Sequence, residues 1–400
     1  MTPVEALGDV RARLDAAGRA RERLRSRSLE AAIDALAAAA RRWRADPSLA
    51  PALAAVGGLS VANAAAAVDV AAEAIDTDAM RALVEQESGV GASRRPAPAG
   101  PALVAHVLAS NVPALALPAI VHACLVGAAV IVKSGRHDAV SAPAFVRALA
   151  AVDPDLAATV VAAYWPGGDA AGESLLQDAD VVIATGGDTA LAALARRIGS
   201  RLVAHGPRAS AAVVAATESA DAVALDVALH DQRGCLSPHV VFVVGDAPAF
   251  ARRLASALDA VAERLPPGDA AVEERAAVRA FIGDAEWTEG TRVLAGPGGA
   301  VVLEPLRPFG PTPGRRTVVV HPLPAVDDVA RFLPVAGVEC VGVAGVDASH
   351  LAGALAARGV SRICPVGRMQ RPPLSWPQGQ RPPLAVFLGR TAGLTIEVET

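Results

Sequence analysis

What most constrains this chain is a set of short apolar runs that do not alternate. They are Leu103–Leu108, Ala128–Val132, Thr159–Ala163, Val181–Ala184, Arg201–Ala204, Ala212–Ala215, Val240–Val244, Thr317–His321 and Glu339–Ala344. A strand with one wet face alternates apolar and polar side chains, so a run that is apolar throughout needs cover on both faces. Segments with helical spacing lie between them: Ala114–Val126, Ala142–Ala151 behind Ser141 as N-cap, Gly172–Gln177, Asp188–Ile198, Ala249–Arg264 and Ala348–Arg358. Strands alternating with helices form parallel sheets sandwiched between helices. With 52% hydrophobic residues and 3% aromatics, the core is built from small aliphatics, and intrinsic disorder is excluded.

The organisation follows from this rhythm. Residues 4–46 read as one or two surface helices, with Thr2 as N-cap, Pro3 at the first helical position and Glu5 closing a capping box. The arginines between Arg19 and Arg27 read as a solvated face. Ser93–Gly100 reads as a linker, Gly296–Gly314 as an interruption, and the Pro- and Gln-rich tail from Met369 as an extended wrap. The expected division is a helical region at 1–99 packing on a nucleotide-binding α/β domain at 100–234. A catalytic α/β domain at 235–367 and an extended segment at 368–400 follow. A net charge of −4 argues against a nucleic-acid partner. The weakly charged stretch Pro101–Val132 splits into strand, loop, helix and strand rather than a membrane span. Four well-separated cysteines suggest reduced thiols in a cytoplasm, with neither a disulfide framework nor a metal site.

Four local patterns carry chemistry. In Asp231-Gln232-Arg233-Gly234-Cys235-Leu236-Ser237-Pro238, a glycine turn places a thiol before a new strand, where nearby N–H groups favour thiolate; a buried structural cysteine is the bland reading. Asn111, after the run ending at Leu108, can aim its amide at a developing oxyanion or close an Asx turn. Lys133 ends a buried strand and Arg136 follows, a pair suited to an anionic nucleotide at the sheet's carboxyl edge; a snorkelling strand-end lysine is the bland reading. Trp165-Pro166-Gly167-Gly168 and Ala184-Thr185-Gly186-Gly187-Asp188 are strand-to-helix glycine turns whose N–H groups can cradle phosphate.

In this order the patterns resemble the aldehyde dehydrogenase superfamily, and more closely its acyl-CoA reductase branch, the LuxC-type fatty-acid reductases. Val107–Pro113, Ala184–Asp188, His205-Gly206-Pro207-Arg208-Ala209-Ser210, Asp226-Val227, Asp231–Pro238, Gly359–Gly367 and Leu374–Pro377 carry the likeness. It implies an aldehyde dehydrogenase-like α/β fold of two doubly wound parallel-sheet domains with N-terminal helices. It also implies Cys235 as nucleophile, Asn111 as oxyanion donor, and Lys133, Arg136, Gly168, Thr185, Gly186 and Gly187 as cofactor-binding residues. Ala204 stands where the superfamily's water-activating glutamate is expected, so a thioester on Cys235 would persist until reduced; His205 is either an alternative base or structural.

The implied reaction is NAD(P)H-dependent reduction of an acyl-CoA or acyl-carrier thioester, fatty acyl by preference, to the aldehyde. Arg136, three residues after Lys133, favours NADPH, with NADH as the alternative. A partner acyl synthetase and a homo-oligomer belong to the same expectation. The rivals are an acyl-phosphate reductase, an aldehyde dehydrogenase, and a non-catalytic nucleotide-binding scaffold subunit.

Overall fold

The first series of runs closes into a five-stranded parallel sheet. Its strands are β1 (Leu103–Val107), β2 (Ala129–Lys133), β3 (Val160–Ala163), β4 (Val181–Thr185) and β5 (Leu202–His205), in the order β3-β2-β1-β4-β5. These come from a computed structural model describing residues 7–88, 100–389 and 395–399. The helix start at Thr2, Pro3 and Glu5 and nearly all of the 93–100 linker lie outside the described residues. Both faces of strands β1, β2 and β3 are dry, as the lack of alternation requires, while the edge strand β5 is partly exposed. Val104, Val130 and Val132 pack under helices Leu29–Arg44, Ala116–Leu125 and Ser141–Ala150, while Ala105, Ile131 and Val182 pack under Leu7–Arg23 and Asp188–Ile198.

The expectation of surface helices before residue 46 fails for the second one. Ile33, Leu36 and Trp43 of Leu29–Arg44 are fully buried, and Trp43 Nε1 donates to the Ser141 carbonyl at 3.3 Å. Nor is Ser141 an N-cap. It is the first helical residue, and Asp138 accepts from its N–H at 3.0 Å. The stretch Pro101–Val132 does divide into β1, a loop, a helix and β2, and among the described residues no single helix is long and apolar enough to cross a membrane.

Eight strands form the second sheet: β6 (Ala209–Ala215), β7 (Pro238–Val244), β8 (Arg292–Gly296), β9 (Gly299–Leu303), β10 (Thr317–Leu323), β11 (Val338–Ala344), β12 (Arg362–Pro365) and β13 (Glu397–Val398). The order is β13-β12-β11-β6-β7-β10-β9-β8, and only the edge pair β8–β9 is antiparallel. The change of sheet therefore falls at residues 206–208, well before the 234/235 boundary read from sequence. The reason is burial: Ala211–Val214 are inaccessible on both faces, a condition met between β11 and β7. The stretch 296–314 is likewise not a plain interruption, since it holds the turn and second strand of the β8–β9 hairpin. A Cβ on Gly298 would lie 2.2 Å from the Leu258 carbonyl, so that glycine lets the hairpin touch helix Ala247–Arg264.

Residues after 368 strap the two sheet units together. Arg371 pairs with Glu73, His122 Nε2 bonds the Leu374 carbonyl at 2.9 Å, and Glu87 accepts from the N–H groups of Leu384 and Ala385 at 2.8 and 2.9 Å. The strand order of the first sheet reverses between β1 and β4. The crevice beyond the carboxyl ends of those strands is where an open α/β sheet accepts a ligand.

Candidate active site

A cavity of about 1790 Å³ opens at that crevice. Its walls include Val107, Lys133, Thr185 and His205 from strand carboxyl ends of the first sheet. Facing them are Arg208, Cys235, His239 and Glu339, which precede or begin β6, β7 and β11. The carboxyl edge of one sheet thus meets the amino edge of the other. All nine residues singled out from sequence (Asn111, Lys133, Arg136, Gly168, Thr185, Gly186, Gly187, His205 and Cys235) line this one space.

Cys235 sits on a loop tied from several directions. Its carbonyl accepts from Ser210 Oγ at 2.7 Å, and the same hydroxyl accepts from the Cys340 N–H at 3.0 Å, fixing the loop to β6 and β11. The sulfur's neighbourhood is apolar, packed with Leu236, Cys340, Cys364, Met369 and Trp376. Burial, then the Glu339 carboxylate, pushes the thiol up to about 12, while Arg208 and backbone N–H groups pull the other way. The expectation of a favoured thiolate is therefore corrected: at rest the group is a neutral thiol, because desolvation outweighs the nearby donors. Alkylation of the free protein by iodoacetamide should accordingly keep accelerating about tenfold per pH unit from roughly pH 7 to 10. Levelling near the ordinary cysteine value would contradict this environment.

Asn111 reaches the same loop from the first sheet. Its Nδ2 donates to the Arg233 carbonyl at 2.7 Å, two residues before Cys235, and the side chain is otherwise exposed to the cavity. This approach depends on Gly135, where a Cβ would lie 2.6 Å from Ser110 Cβ and 2.8 Å from the Ala109 carbonyl. The loops after β1 and β2 touch only because that position has no side chain.

The far end of the cavity is cationic and rich in glycine. Lys133 lies 5.9 Å above the Tyr164 ring, its ammonium pushed down by burial, and Arg136 is exposed, with Nε donating to His137 Nε2 at 3.2 Å. Gly187 is the N-cap of helix Asp188–Ile198 and supplies no side-chain cap, so first-turn N–H groups remain open. A Cβ on Gly186 or Gly187 would meet nothing within 4 Å, which leaves room for a ligand against the backbone. The donors fit a dinucleotide's phosphates. Gly168 offers less than expected, because its N–H is already bonded to Glu173 Oε1 at 2.9 Å.

The sequence pattern of the LuxC acyl-CoA reductases matches residues 25–378. The chain belongs to the LuxC acyl-CoA reductase family. It is 29% identical over 276 residues to the long-chain acyl-protein thioester reductase of Aliivibrio fischeri, covering 66% of this chain and 57% of that protein. Its likeness to long-chain acyl-protein thioester reductase 2 of Photobacterium leiognathi is 27% over 276 residues, 66% of this chain and 58% of the relative. The match thus spans little more than half of these relatives. The fold is that of aldehyde dehydrogenases. Aldehyde dehydrogenase 21 from Physcomitrella patens superposes with TM-score 0.74 at 12% identity, covering 97% of this chain and 89% of that one. Glyceraldehyde-3-phosphate dehydrogenase from Methanocaldococcus jannaschii, complexed with NADP, gives TM-score 0.71 at 13% identity, covering 91% and 86%.

Glu339 and His205 complete the site of this LuxC-family chain. Glu339 was missed from sequence, although an acid opening an apolar strand is a signal. Its buried carboxylate accepts from Arg208 Nε at 3.0 Å, from the Gly379 N–H at 2.8 Å and from Ser361 Oγ, so both oxygens are engaged. His205 ends β5 and packs against the turn at Gly379. Burial, then Arg381 and Arg208, pushes its imidazole down to about 4, leaving it neutral and a weak base.

Proposed function

We propose that this chain reduces an acyl thioester, an acyl-CoA or the acyl-protein thioester named for its relatives, to the free aldehyde through a thioester on Cys235. The observation that carries this reading is the meeting of Asn111 with the Cys235 loop, through the 2.7 Å bond to the Arg233 carbonyl, inside the cavity that also holds the phosphate-suited turn.

In the proposed reaction, Cys235 Sγ attacks the acyl carbonyl, the carbon–sulfur bond to the donor thiol breaks, and the thiol proton passes to the departing thiolate. Asn111 Nδ2 and the Cys235 backbone N–H donate to the oxyanion formed on the way. Lys133, Arg136 and the N–H groups after Gly187 would hold the cofactor, NADPH by our reading. When bound, that cofactor supplies the hydride that reduces the acyl-enzyme. Cys235 sulfur then leaves as the aldehyde carbonyl forms. Glu339, saturated on both oxygens, and His205, a weak base, are poorly placed to activate water. That supports a thioester that waits for reduction, with Ala204 in place of a glutamate.

Mass spectrometry after incubation with acyl-CoA, acyl carrier protein or acyl phosphate tests the reading. An acyl adduct on Cys235 from a thioester donor, lost together with turnover in Cys235→Ala, is the expected result. An adduct from acyl phosphate alone reassigns the donor, and no adduct from any of them refutes the proposal. For the cofactor, Arg136→Glu should lower the ratio of kcat/KM for NADPH over NADH by about tenfold or more, because the 2′-phosphate loses a cation and meets a carboxylate. A ratio that stays unchanged would remove Arg136 from that role.

A further inference from the structure

Immediately ahead of the nucleophile loop the backbone adopts a conformation that non-glycine residues avoid. His230, Asp231 and Gln232 have φ of +56°, +52° and +59°, the longest run of non-glycine residues at positive φ among the described residues. The left-handed region crowds a Cβ against the following carbonyl, and consecutive occupants persist only where surrounding contacts dictate them.

Asp231 is held by Arg316 and the Gly268 N–H, and Gln232 by the Pro238 and Thr317 backbone, while the contacts on the first residue of the run come from a distant segment. Asn63 is fully buried and is the only polar side chain on the buried face of the alanine-rich helix Val61–Glu73. Its Oδ1 accepts from the His230 N–H at 2.9 Å. Its Nδ2 donates to the Ala228 carbonyl at 2.9 Å and reaches Asp231 Oδ1 at 3.4 Å. One carboxamide therefore brackets the first residue of the run from both sides. The next residue onward, Arg233, donates from its guanidinium to the Gly58 carbonyl at 3.1 Å, and its own carbonyl is the one bonded to Asn111. The N-terminal helices thus grip the chain just where it turns to present Cys235.

We propose that Asn63 is a positioning residue for the nucleophile: by clasping residues 228–231 it holds the left-handed run and so sets how Arg233–Cys235 face Asn111. The inference rests on the reading of Cys235 as the acyl acceptor. It also makes the N-terminal helical layer part of the acylation machinery rather than cover for the first sheet alone.

Glycine supplies the test, since it adopts positive φ without help. The rate of acyl-Cys235 formation is measured in a single turnover with a long-chain acyl-CoA, alongside the Kd for NADPH. Asn63→Ala is expected to slow acylation by at least about tenfold while the Kd stays within about twofold. Adding His230→Gly to that variant is expected to recover at least about half of the lost logarithm of rate, a rescue that generalised damage to the fold would not show. Should Asn63→Ala not accumulate folded, Asn63→Asp, which keeps the acceptor for His230 and loses the donor to Ala228, is read by the same criteria. Wild-type acylation in the Asn63 variant, a matching loss of NADPH affinity, or slow acylation that glycine does not rescue overturns the inference. A wild-type protein that forms no adduct on Cys235 would instead overturn the reading beneath it.

Discussion

Replacing Asn111 with alanine is expected to slow acylation of Cys235 by about 10²–10³-fold while leaving nucleotide affinity and melting temperature nearly unchanged. The size follows from where the amide sits. Its Nδ2 already lies 2.7 Å from the Arg233 carbonyl, two residues before the sulfur, on a loop that Gly135 allows to come close. That bond uses one of two N–H groups, and the other remains for an oxyanion formed over Cys235. The small effect on stability follows from exposure: losing one neutral hydrogen bond at a wet site costs about 1 kcal/mol or less. Asn111→Asp separates donation from shape. It keeps the volume, removes both donors and sets a negative charge against the developing oxyanion, so it should be slower than the alanine variant. Rapid-quench measurement of the acyl-enzyme decides the matter, and a loss under about fivefold in Asn111→Ala would take the residue out of the oxyanion site.

Much of this arrangement was legible because strand ends are marked locally. Lys133 closes an apolar run and Thr185 stands at a strand-to-helix glycine turn, so these two are legible as carboxyl-end residues of the first sheet, whereas His205, which the sequence marks only as a residue beside a Gly-Pro turn, is placed at the end of β5 by the structure alone. Sheet membership was not legible. A strand buried on both faces carries no polar side to indicate its neighbours, which is why β6 was assigned to the wrong sheet. The environment of Cys235 was also hidden, because Cys340, Cys364 and Met369, which desolvate it, lie more than a hundred residues further along the chain. His230-Asp231-Gln232 reads as an ordinary polar stretch. Its left-handed backbone exists only through tertiary contacts, and the residue that clasps its first member is an asparagine in an alanine-rich helix. Local rules find turns that glycine makes easy, and they miss turns that packing enforces.

Arg316→Met is expected to be the most destabilising single change near the site, by about 3–5 kcal/mol, read as a fall in melting temperature of roughly 4–6 °C in a chain of this length. Arg316 and Asp231 side chains are each 2% exposed, and the guanidinium donates to Asp231 Oδ1 through Nε at 3.0 Å and Nη2 at 2.6 Å. Both residues also have positive φ, at +58° and +52°, so the ion pair joins two strained turns, one before β10 and one before the nucleophile. Without the arginine, the Asp231 carboxylate stays buried with the Gly268 N–H at 2.9 Å, Asn63 Nδ2 at 3.4 Å and Arg315 at 3.8 Å, too little to replace a paired charge. The pair as a whole need not be stabilising, because desolvating two ions offsets most of their attraction. The double variant Asp231→Asn/Arg316→Met should therefore recover a large part of the stability lost in the single one. Its acylation rate should stay low even so, because the carboxylate that Arg316 and the Gly268 N–H hold in place would no longer tether the left-handed run. Recovery of stability and rate together would mean that this ion pair serves the fold and has no part in presenting the nucleophile.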